Sequence, residues 1–190
     1  MCNFKDETVS ERATEYATGN DFCRVFTEDM DRLYSLALLL SADEEKAEQC
    51  FAAALEDCLQ GNAVFKDWTR SWSKRAVIKH AIGAVSPVPG PRKSGAIIRD
   101  RGTGPETEVL MGTVIHMEAF DRFVFVMSVL EGYSVAQSAA LLQCSAREVA
   151  DARLRVLQMM AKNPQRDVVP AAVINHDFPP MPLRGPAEVA

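Results

Sequence analysis

The chain has 190 residues, 47% of them hydrophobic and 25% charged, and a net charge of −5. That length suits one domain or two small ones, and the balance is ordinary for a globular protein. No apolar run approaches the roughly 20 residues of a membrane helix, and the polar, acidic stretch Met1 to Glu15 is unlike a signal peptide. A cytoplasmic protein with no membrane segment is therefore expected. A general nucleic-acid binder would be basic. Here the positive charge is local: residues 83–105 carry 4 Lys/Arg against 1 Asp/Glu, whereas residues 1–82 carry 10 against 15 and residues 106–162 carry 5 against 7.

Residues 1–20 read as a polar lead. Phe22, Phe26, Met30, Leu33, Ala37 and Leu40 then recur at intervals of three and four, which predicts one apolar face of a long helix. Ser41-Ala-Asp-Glu44 fits a capping box and starts a second helix. That helix turns Ala47, Phe51, Ala54, Leu55 and Cys58 inward and stops near Gly61-Asn62. A third is expected from about Asp67, an apt N-cap, to about Ile82. Residues 21–82 thus predict a three-helix bundle.

Residues 83–106, with Ser-Pro-Val-Pro-Gly-Pro and Arg-Gly-Thr-Gly-Pro, have the composition of a flexible linker. Residues 107–162 are helical again. Glu108 to Ile115 is amphipathic, and Phe120, Phe123, Val124, Val126 and Met127 belong to the next helix, with Gly132 as its C′ residue. About 55 residues is near the lower limit for a self-standing core, so the aromatic pair Phe123 and Phe125 carries weight. From Asn163 the tail contains six prolines and is expected to be disordered.

Tyr133 to Met160 has the layout of a helix-turn-helix. Val135 to Leu142 is a short apolar helix, Gln143-Cys144-Ser145 a tight connection, and Ser145 an N-cap for a second helix. Helices joined this closely cross steeply, so the second projects and can enter a major groove. Projected at 3.6 residues per turn, Val149, Ala152, Val156, Met159 and Met160 face inward. Arg147, Asp151, Leu154, Arg155 and Gln158 face outward, and Arg153, in the apolar sector, has to snorkel or pair. Arg147 and Arg155 are the candidates for phosphate or guanine contact, with Asp151 opposing phosphate between them. In the third helix Lys66, Arg70, Lys74, Arg75 and Lys79 interleave with Trp68 and Trp72. Lys66, Arg70 and Lys74 recur every four residues and predict one basic side, with the tryptophans either stacking on unpaired bases or filling the core.

A helical first domain, a Pro/Gly linker and a helix-turn-helix domain, in this order, resemble the bacterial extracytoplasmic-function sigma factors. The resemblance spans about residues 21–160 and runs through Leu33 to Leu40, Asp43 to Gln49, Trp72, Arg122 to Met127, Glu131 to Ser134, Ala139, Leu142, Ser145 and Val149. It implies an all-α protein with a sigma region 2-like bundle and a region 4-like domain, which directs core RNA polymerase to promoter DNA. It further implies Ala47, Glu48, Gln49 and Ala52 in the polymerase-binding helix. Lys66, Arg70, Trp72, Lys74, Arg75 and Lys79 would lie in the −10 melting segment. Ser145, Arg147, Asp151, Arg155 and Gln158 would lie at the −35 reader. An anti-sigma factor is a further implied partner.

The chain departs from the family pattern at Gln49, Ala52, Lys79, Gly83, Gln143 and Ala152. Two alternatives therefore stay open: a sigma-derived DNA-binding regulator without polymerase binding, and a protein-interaction module without a DNA role. An enzyme is not expected. His80, His116 and His176 lie in separate segments, and no nucleophile motif, phosphate loop or metal-spaced ligand set occurs, so no cofactor or metal is expected. Cys2, Cys23, Cys50, Cys58 and Cys144 form no Cys-x-x-Cys pair and read as reduced cysteines packed mostly as small apolar residues.

Overall fold

The computed structural model describes residues 15–60, 63–90 and 106–161. The described residues are mostly helical and contain no strand, so the class is all-α. The tail from Asn163 and most of the Pro/Gly segment lie outside them.

Helix α1, Gly19–Glu28, starts at a full capping box. The Asp21 amide donates to Thr18 Oγ1 at 3.4 Å, and the Thr18 amide donates to Asp21 Oδ2 at 2.9 Å. Helix α2, Met30–Ser41, follows directly. The single long helix expected from Phe22 to Leu40 is thus two, so residues 21–82 contain four α-helices among the described residues where three were expected. The break is at Asp29, with φ −106° and ψ 21°. It costs few hydrogen bonds, because the Asp29 amide still reaches the Val25 carbonyl and the Asp29 carbonyl still accepts from Leu33. It lets both helices pack on α3 and α4, with Phe22 and Phe26 in the same core as Leu33, Leu36, Ala37 and Leu40, and it leaves Met30 exposed.

Helix α3, Glu44–Leu59, is capped by Asp43, whose Oδ1 accepts from the Lys46 amide at 2.9 Å. Ser41, the expected cap, instead ends α2, and its buried hydroxyl donates to the Asp43 carbonyl. Val64 and Phe65 then run beside Tyr16 and Ala17, with the Tyr16 and Phe65 rings stacked. Asp67 is not a cap but lies in a 3-10 turn, Lys66–Trp68. Helix α4, Thr69–Val85, begins beyond that turn, with the Thr69 hydroxyl donating to the Lys66 carbonyl. It runs one turn further than expected, to a left-handed Ser86.

The second part comprises α5, Glu106–Ile115; α6, Ala119–Phe125; a π-helical segment, Val126–Leu130; α7, Val135–Leu142; and α8, Ala146–Ala161. Gly132 ends the π segment with φ 71°, a value that favours glycine. Phe123 and Phe125 are both buried. The four described cysteines are free thiols, with Cys50 and Cys58 buried, Cys144 half-buried and Cys23 exposed.

The two parts share a wall. Helix α2 packs on α3 and α4 on one side, and on α5, α6 and the π segment on the other. Buried residues from both parts form one continuous hydrophobic cluster. Arg122, 6% exposed, lies at the junction. Its guanidinium donates to the carbonyls of Leu40 (3.2 Å) and Ser41 (3.5 Å) at the end of α2, and to those of Ile115 (3.1 Å) and Met117 (3.0 Å) at the end of α5. Helix ends leave their last carbonyls unsatisfied and carry partial negative charge, so one buried cation serves two of them.

Two outcomes follow from this packing. Arg122→Ala strands four carbonyls and is expected to cost about 3 kcal/mol in urea unfolding, with Arg122→Lys restoring little, because one ammonium cannot span both helix ends. Burial, with the Glu131 charge adding to it, pushes the Tyr133 hydroxyl up from 10 to about 12, and burial pushes the Cys58 thiol up from 9 to about 11. The fold holds these protons at pH values where the unfolded chain has lost them. Their contribution is whole below the ordinary values and is lost as pH rises from about 9 to about 12. The urea midpoint is expected to fall across that window, and to fall less steeply near its top in Tyr133→Phe.

Candidate nucleic-acid interface

The connection between α7 and α8 is set locally. Ser134 and Gln137 form a capping box at the start of α7. Gln143 ends it in the left-handed region (φ 53°, ψ 42°), which costs a non-glycine residue about 1 kcal/mol. Ser145 then caps α8. Its Oγ accepts from the Glu148 amide at 3.2 Å, while its own amide and hydroxyl donate to Glu148 Oε2 at 2.8 and 2.7 Å. These bonds hold the Glu148 carboxyl below its usual range, the side-chain bond first. Ser145 is therefore committed to the cap, and a carboxylate stands in the first turn of α8.

Val149, Ala152 and Val156 are fully buried, as projected, and seat α8 against α6 and α7. Met159, expected inside, is 38% exposed, whereas Met160 packs partly buried against the core. Arg147 and Gln158 are exposed and Asp151 is half-buried. Arg155 does not stand out in solvent. It is half-buried and donates to Asp121 of α6 at 2.6 Å, so it fastens α8 to the fold. Arg153 is half-buried, and its Nε has no hydrogen-bond partner among the described residues.

The basic helix is also partly engaged. Arg70 bridges Glu28 (2.8 Å) and Asp29 (2.9 Å), Lys74 reaches Glu131 beyond the π segment at 2.7 Å, and Lys79 meets Asp57 at 3.0 Å. Lys66 is exposed on the 3-10 turn, and the half-buried Arg75 acts electrostatically on Tyr133. Lys66, Arg70 and Lys74 do not line one continuous helical side, because Lys66 precedes the helix and Lys74 faces the other part of the molecule. Trp72 is half-buried against the core, as is Trp68, which packs edge-on to Phe65. Exposed ion pairs such as Arg70–Glu28 and Lys79–Asp57 contribute little to stability.

On α3, Glu48, Gln49 and Ala52 share an exposed face, and Gln49 Nε2 donates to Glu45 at 3.3 Å. Ala47 is fully buried in the core and has no surface to offer a partner. Three residues that matter here were not singled out as site residues in the sequence: Asp121, Arg122 and Glu131. An arginine opening the apolar run Phe-Val-Phe-Val-Met was a signal that Arg122 needed an internal partner; the pairs made by Asp121 and Glu131 span 34 and 57 positions and leave no local trace.

The two candidate reader arginines are expected to separate in urea unfolding. Arg147→Ala stays within about 0.5 kcal/mol of the parent chain, and Arg155→Ala loses roughly 2 kcal/mol with its charged hydrogen bonds. No family model, curated protein or solved structure matches the chain.

Proposed function

We propose that the chain is a sigma-type transcription factor, which docks on core RNA polymerase and engages promoter DNA through α4 and α8. The observation that carries this is the helix-turn-helix itself. A left-handed turn at Gln143 and a capping box at Ser145 set the direction of α8, which leaves Arg147 exposed on its first turn. Base readers sit in that part of a recognition helix. Supporting it, α3 leaves Glu48, Gln49 and Ala52 open for docking, and the net charge of −5 suits steering onto a basic protein surface. Lys66, Arg70 and Lys79 are exposed along the 3-10 turn and α4, where phosphates can compete for them.

One observation favours a second reading. Leu154, Leu157 and Met159 are 56%, 42% and 38% exposed on α8, a composition that suits a protein partner as well as a groove. In that case the chain is an interaction module without a DNA role, and a duplex selection would enrich no motif.

The full chain is expected to co-purify with core RNA polymerase at low salt and to direct specific initiation in a reconstituted transcription reaction. Absence of a stable complex overturns the proposal. Arg147→Ala is expected to weaken promoter binding and to reduce the salt slope by about one if the contact is to phosphate, or to relax specificity at one guanine if it is to a base.

A further inference from the structure

We infer that α8 reads the C5-methyl group of thymine, with Leu154 as the side chain that makes the contact and Ala150 beside it. The inference rests on the sigma-type proposal above and deepens it by naming the base. A helix lying in a major groove offers residues to the base edges at i, i+3, i+4 and i+7. On α8 that series, starting from Arg147, is Ala150, Asp151 and Leu154. Arg147, Ala150 and Leu154 are exposed, and Leu154 is 56% so. The helix beneath them is fixed by buried Val149, Ala152 and Val156 and by the Arg155–Asp121 pair, so the series is presented on a rigid support.

The major groove displays donors, acceptors and a single kind of apolar group, the thymine methyl. Alkyl side chains at two of four reading positions can distinguish bases there only by covering that methyl. Arg147, two turns from Leu154 towards the helix N-terminus, matches guanine O6 and N7. The geometry thus points to a half-site in which one or two thymines lie within about three base pairs of a guanine.

The full-length chain, alone and mixed with core RNA polymerase, is used to select duplexes from a randomised pool. Each thymine of the enriched duplex is then replaced by deoxyuridine, which removes the C5-methyl and nothing else. At one or two positions the replacement is expected to weaken binding about fourfold, the value of burying one methyl-sized group. Leu154→Ala is expected to weaken the methylated duplex by a similar factor and to erase the difference between thymine and uracil. Leu154 is exposed, so this variant should keep the urea midpoint of the parent. An enriched duplex indifferent to the methyl, or a methyl effect that survives in Leu154→Ala, overturns the inference and leaves the sigma-type proposal standing. If no duplex is enriched, both fall.

Discussion

The buried guanidinium of Arg122 joins the two helical parts of this molecule. Its donors go to main-chain carbonyls at the ends of α2 and α5. Burial works against its charge and lowers its pKa, yet an arginine stays protonated in proteins. The charge must therefore be solvated internally, and two helix C-termini do that with oriented partial charges. Asp121, the neighbouring residue on α6, reaches the other way, to Arg155 of α8. Two adjacent side chains on one helix thus tie α2 on one side and α8 on the other. The position of α8 relative to the N-terminal helices follows from them.

That arrangement shapes how charge is offered to a partner. Lys74 is held by Glu131 across the junction, and Arg155 by Asp121 within the second part. Arg70 and Lys79 are paired at the surface, where water and salt screen them. The exposed face of α8 carries Arg147 and Glu148 at its start, then the aliphatic Ala150, Leu154 and Leu157, with Gln158 beyond them. A surface of that kind gains little from long-range attraction to DNA.

The helix-turn-helix was legible because its determinants are local. Gln143 in the turn, Ser145 as cap and the inward Val149, Ala152 and Val156 all follow from spacing within twenty residues. The break at Asp29 was not legible, since no glycine or proline marks it and the apolar spacing runs straight through; it lets α1 and α2 each pack on α3 and α4. Arg155 fell on the outward side of the projection and turned inward for a carboxylate 34 positions away. Ala47 shows a different limit. A family resemblance carries a position into a helix but not onto a face, and position 47 faces the core.

Native-state hydrogen exchange on the full chain, followed residue by residue against urea, tests most directly whether Arg122 makes the two helical parts one cooperative unit. The slowest amides of α2, α6 and α8 are expected to converge on a single opening free energy, and to separate into two groups in Arg122→Ala. Two distinct opening free energies in the parent chain, unchanged by that substitution, would contradict it.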